Sequence, residues 1–149
     1  MKKLYILLLF LSAFANAQIV NIPDANFKSI LLSAESNNST AQNALGQAMR
    51  IDTNTDGEIQ LSEALVVAKL SLYGPNISNL TGLASFSNLT FLDCSNEGIT
   101  SLTLTNLPFL KDFYIGFAGP SPLQVISIDL NGVLVLKLLP AIGLRRSQR

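Results

Sequence analysis

Residues 51–63 read IDTNTDGEIQLSE, and four of the chain's ten acidic residues fall between Asp52 and Glu63. The stretch fits D-x-[DN]-x-[DN]-G-x5-E at every fixed position, the pattern of a loop that wraps a calcium ion. Calcium is a hard cation that takes six to eight oxygens at flexible angles. Asp52, Asn54 and Asp56 offer side-chain oxygens from alternate positions, and Gly57 permits a sharp turn. Glu58 offers its backbone carbonyl, Gln60 a direct or water-borne contact, and Glu63 both oxygens of a carboxylate. Sensor loops of this kind work in pairs, and a second copy is not found in the sequence. The expected role is therefore structural, with the weak affinity of extracellular sites, about 0.1–1 mM.

Little else in the chain does chemistry. With no histidine, the usual nucleophile–base triads are excluded, and a single cysteine, Cys94, excludes zinc clusters and internal disulfides. Asp24, Glu35, Asp93, Glu97, Asp112 and Asp129 form no motif, and no glycine-rich phosphate cradle is present. The expectation is a protein that is not an enzyme.

The first residues, MKKLYILLLFLSAFANAQ, combine two lysines, an apolar run from Leu4 to Ala15, and Ala15-Asn16-Ala17 before Gln18. That is the plan of a secretory signal peptide over residues 1–17, and the run is too short to span a bilayer. Removing it takes away Lys2 and Lys3, leaving eight basic against ten acidic residues. Such a balance offers nothing to nucleic acid. The tail VLVLKLLPAIGLRRSQR is interrupted by Lys137 and Pro140, so no membrane span is expected after cleavage.

Three helices are expected to hold the acidic loop. Phe27, Ile30, Leu31 and Ala34 recur at helical spacing behind Asp24, a suitable N-cap, which predicts a helix over 24–34. Ala44, Leu45, Ala48 and Met49 predict a second across AQNALGQAM, weakened by Gly46, and LSEALVVAK a third after the loop. From Lys69 the texture changes. Leu70-x-Leu72, Leu92-x-Cys94, Phe113-x-Ile115 and Leu136-x-Leu138 fall into register at steps of 22, 21 and 23 residues. Val67, Leu89, Leu110 and Val133 each stand three residues ahead. A leucine-rich repeat has this period, because stacked coils bury one continuous apolar ladder.

The expected fold is thus an α/β repeat solenoid: a helical cap over 18–68, then about four irregular leucine-rich repeats over 69–149 forming a parallel sheet, the last incomplete. Each repeat lacks the consensus turn asparagine, with Pro75, Glu97, Ala118 and Ala141 in its place. Stacking at about 4.8 Å would align Lys69, Phe91, Asp112 and Val135 in one outward row and Ser71, Asp93, Tyr114 and Lys137 in another, with Tyr73 beside them. Aromatic rings flanked by charges suit a recognition surface.

NIPDANFKSILL, IDTNTDGEIQLSEA and NISNLTGLASFSNLTFLDCSNEGITSL together resemble secreted leucine-rich repeat proteins of the Bacteroidota, distant cousins of the bacterial internalins. The resemblance covers about residues 19–116 and implies an exported or surface protein. The expected function is a secreted or cell-surface module that binds protein or glycan on its sheet face and carries structural calcium. One rival is a dockerin-like docking module, which would need two such loops. The other is a calcium-dependent polysaccharide-acting enzyme on a parallel β-helix, which would need a basic catalytic residue on the repeat face.

Overall fold

The computed structural model describes residues 18–74, 77–94 and 104–114. Its first helix, α1, spans Ala25–Leu32 and turns Phe27 and Leu31 fully inward. Asp24 caps it: one carboxylate oxygen, Oδ1, accepts from the backbone N–H groups of Asn26 (3.0 Å) and Phe27 (2.9 Å), two of the donors a helix start leaves unpaired. The helix closes at Ser33, whose N–H returns to the carbonyls of Ser29 and Ile30.

The second expected helix is not formed. Residues 41–49 make a tight antiparallel hairpin that contains strand β1, Ala41–Gln42. Gln42 bridges Ala48, Met49 N–H donates to Ala41 O, and Leu45 is 83% exposed at the tip. Asn43 supplies the reason. Its side-chain oxygen accepts from Leu45 and Gln47 N–H at 2.9 and 3.1 Å, an alternative to the helical ladder. Gly46 completes the turn at φ +77°. The third helix shrinks to α2, Leu61–Ala64, because the chain must be extended again by Lys69.

Strands β2 (Lys69–Ser71), β3 (Phe91–Asp93) and β4 (Asp112–Tyr114) follow, and the sheet runs in the order β1-β2-β3-β4. β1 pairs antiparallel with β2, whereas β2–β3 and β3–β4 are parallel. The central register is Leu70 to Leu92 to Phe113, all three at 0% exposure. Side-chain and backbone bonds tie successive turns, with Thr90 Oγ1 on Ala68 O and Asn88 Nδ2 on Leu65 O.

This arrangement corrects the expected fold class. The described chain is a small, mixed, open sheet of four strands with two helices, and not a repeat solenoid of parallel coils. Two physical facts separate the two. The sheet begins with an antiparallel strand drawn from the region expected to be helical, and the parallel strands are only three residues long. Leu136 and the rest of the fourth expected unit lie outside the described residues.

One apolar cluster holds these pieces together. It joins Phe27 and Leu31 of α1 to Leu70, Leu92 and Phe113 of the sheet and to Ile77, Leu83, Phe86 and Leu107 of the connecting turns. Cys94 belongs to it at 0% exposure, and burial pushes its thiol well above the ordinary range, so it is a small core residue without nucleophilic character.

Gly82 marks the tightest approach in this core. Its φ is +102°, and a Cβ there would stand 2.8 Å from Asn21 O and 2.8 Å from Ile22 Cγ1. A backbone oxygen cannot move aside cheaply. Gly82→Ala should therefore destabilise the fold by about 2–3 kcal/mol, measured as a fall in the urea midpoint at unchanged slope.

Candidate functional site

The acidic loop is built on itself before any ion is considered. Asp52, 9% exposed, turns its two oxygens onto the N–H groups of Asp56 (3.2 Å) and Gly57 (3.0 Å). Asn54 Oδ1 accepts from Asp56 N–H, and Asp56 Oδ1 from Glu58 N–H at 2.8 Å. The Glu58 N–H, then the amides of Gln60 and Asn54, hold the Asp56 carboxyl below the usual carboxylate range. Thr55 and Gly57 take φ of +60° and +80°, which lets alternate side chains curl toward one side.

Each remaining expected ligand has a definite place. Glu63 is buried, and its Oε1 accepts from both N–H and Oγ1 of Thr53 at 2.7 Å. Its Oε2 accepts from Gln60 N–H at 3.1 Å, the closing bond of a capping box over α2. Gln60, also buried, directs its amide N–H to Asp56 Oδ2 at 2.9 Å, and Asn54 Nδ2 reaches both Asp56 Oδ2 and Gln60 Oε1. The Glu58 side chain leaves the loop and pairs with Lys28 of α1 at 2.6 Å.

Does this donor set fit calcium? Every expected ligand is an oxygen, from three carboxylates, two amides and one backbone carbonyl, as a hard divalent cation requires. Among the described residues no Lys or Arg pairs with Asp52, Asp56 or Glu63; the two ion pairs present are Lys28–Glu58 and Arg50–Glu35. Two of those three carboxylates are buried, and burying such charge without a counter-ion is costly. Backbone N–H groups stand in its place, from Asp56 and Gly57 on Asp52 and from Thr53 and Gln60, with the Thr53 hydroxyl, on Glu63, while the amide N–H groups of Asn54 and Gln60 go to the exposed Asp56. Among the described residues no three His, Cys, Asp or Glu side chains converge as a metal cluster. The residues fit calcium by chemistry and order, and holding it would require both amides to present oxygen instead of N–H.

The loop is anchored at its exit by a segment the sequence did not disclose. Gln18–Val20 runs antiparallel to 59–61: Val20 N–H donates to Ile59 O at 2.8 Å, Leu61 N–H to Gln18 O at 2.7 Å, and Ile19 bridges Gln60. Ile19 and Val20 are both apolar, so the sequence has no alternation to mark this pairing, and two residues are too few for a periodicity.

The expected binding residues on the sheet fall into two clusters of contact. Lys69, Phe91 and Asp112 are register partners across β2, β3 and β4, as are Ser71, Asp93 and Tyr114. All six lie on the face opposite Leu70, Leu92 and Phe113, exposed or half-buried. Phe91 and Tyr114 meet diagonally with ring centroids 5.3 Å apart and planes at 42°. Tyr73, 59% exposed, donates its hydroxyl to Asp93 Oδ2 at 2.8 Å, and that carboxylate raises the Tyr73 pKa. Lys137 lies outside the described residues. The loop and this face are separate sites, joined through α2 and the turn before β2.

Comparison with known proteins assigns neither a family nor a function. No family model and no curated protein matches the chain. One solved structure, of CBM51-2 in complex with GlcNAc and INT domains from Clostridium perfringens ZmpB, is similar at 23% identity over 66% of this chain, with a TM-score of 0.44. The chain spans about a fifth of that structure's length, 19%.

Proposed function

We propose that this chain is an exported, non-enzymatic binding module that recognises protein or glycan on the outer face of its small sheet, with calcium as a structural ion in loop 52–63. The observation that carries the reading is the ordered group on that face: Phe91 against Tyr114, and Tyr73 hydrogen-bonded to Asp93. Aromatic side chains held rigid before contact lose little entropy when a partner arrives, and each presents a large apolar surface. Lys69 and Asp112 flank the rings with opposite charge, which favours orientation over raw affinity. Export rests on the leader at residues 1–17, which lies outside the described residues. Among the described residues no helix is long and apolar enough to cross a membrane.

The test is a screen of the mature chain against immobilised glycans and peptides, repeated with Phe91→Ala and Tyr114→Ala combined. Both residues are half-buried on the outer face, so the double variant keeps its core and its cooperative unfolding. Loss of two such anchors should weaken capture at least tenfold, about 1.4 kcal/mol or more. Capture that is unchanged in a folded double variant removes the sheet face from consideration.

A further inference from the structure

We propose that Gln18, once it is the first residue of the exported chain, closes on itself to a pyroglutamyl lactam. This rests on the export reading above, and within it on cleavage after Ala17. Gln18 is exposed, and its side-chain amide bonds to no described residue, whereas its main-chain carbonyl is held by Leu61 N–H at 2.7 Å. The main chain is thus fixed while the reacting side chain stays in solvent.

Cleavage bares the α-amine on the same residue that carries the amide. The amine nitrogen attacks Cδ, a new N–Cδ bond forms, the Cδ–Nε2 bond breaks, and Nε2 leaves as ammonia. No oxidant or second reactant enters. The five-membered ring contains N, Cα, Cβ, Cγ and Cδ, so the main-chain carbonyl remains outside it and its bond to Leu61 survives.

The consequence follows from what stands next in the chain. The lactam removes the terminal positive charge, as acetylation would, and with it the ammonium that aminopeptidases grip. Trimming would otherwise proceed through Ile19 to Val20, which is buried, bonded to Ile59 at the exit of the acidic loop, and placed 3.2 Å from the position a Gly82 Cβ would take. The modification protects the strand that pins the loop.

The experiment expresses the whole chain from Met1, recovers the exported material, incubates it at neutral pH and measures intact mass and the N-terminal peptide. The expected product begins at residue 18, is lighter than the encoded chain from that point by one ammonia, and resists a broad aminopeptidase. Gln18→Ala, cleaved at the same bond, should lose residues past Ile19 under the same treatment, and its thermal midpoint should fall. A chain that begins at Gln18 with full mass overturns the lactam and leaves the export reading standing. An exported chain that begins anywhere else overturns the lactam and the cleavage after Ala17, and a chain retained in the cell with residues 1–17 overturns the export reading as well. Equal aminopeptidase resistance of the lactam-free variant overturns the protective role.

Discussion

Asp24→Ala should cost about 2–3 kcal/mol of unfolding free energy, more than an ordinary helix cap. The excess comes from the second oxygen of the same carboxylate. While Oδ1 caps α1, Oδ2 accepts from Ser78 N–H at 2.9 Å, Ser78 Oγ at 2.8 Å and Asn79 N–H at 3.0 Å. One side chain therefore ties the first helix to the turn beyond β2, across 54 residues of sequence. The Phe27 N–H contributes most to holding this carboxyl at a pKa of about 2, with Ser78 and Asn79 adding to it against the opposing effect of burial. Because the folded pKa lies below the ordinary 3.8, the stabilisation is fully present above pH 3.8 and is lost as pH falls toward 2. After allowance for solvent screening at this half-buried site, that acid-sensitive part is on the order of 1–2 kcal/mol. Asp24→Asn keeps a capping oxygen for Phe27 but turns an NH2 toward Ser78 and Asn79. It should lose stability at pH 7 and show a flatter acid limb than the wild type. Urea titrations at pH 7, 4 and 2 measure both effects; parallel acid limbs in the two proteins would contradict the assignment.

Calcium should raise the thermal midpoint of the protein, and Asp52→Ala should abolish the rise. With an affinity near 0.1–1 mM and about 10 mM calcium, linkage gives roughly 1.4–2.7 kcal/mol. For a domain of this size that is a shift of roughly 5–15 °C. Asp52 is the informative position because it is buried and both its oxygens organise the turn, on Asp56 and Gly57. The variant will also be less stable without metal, so the decisive quantity is the difference between calcium and chelator for each protein. Magnesium is a useful control, since its demand for near-octahedral geometry suits this mixed donor set poorly. Equal midpoints in calcium and chelator for the wild type would leave loop 52–63 as a self-bonded acidic turn.

What the sequence disclosed and what it hid divide along a physical line. Asp24 was readable as a cap because capping is local; its hold on Ser78 and Asn79 was not, because nothing in sequence marks a bond over that distance. The 22- and 21-residue spacing placed Leu70, Leu92 and Phe113 correctly beside one another, since burial alternates with a period of two along each short strand. The same spacing misled about architecture. Periodicity reports which residues turn inward, and it is silent on an antiparallel strand that lies outside the period. Residues 41–49 failed for a different reason: Ala44, Leu45, Ala48 and Met49 carry a helical pattern, but Asn43 bonds its own backbone and prevails over a short, glycine-broken stretch. At the acidic loop the tight turn that gathers Asp52, Asn54 and Asp56 was legible from spacing alone. The grip of Thr53 on Glu63 was not, since Thr53 occupies a position the pattern leaves open.

The pairing of Gln18–Val20 with residues 59–61 also sets an order of events in time. A leading strand whose partner lies about forty residues downstream cannot dock while the chain is still emerging, and the loop it closes is costly to form early. Val20 therefore stays in water until Leu61 has left the ribosome behind it. The earliest of the described segments to emerge is thereby among the last to settle.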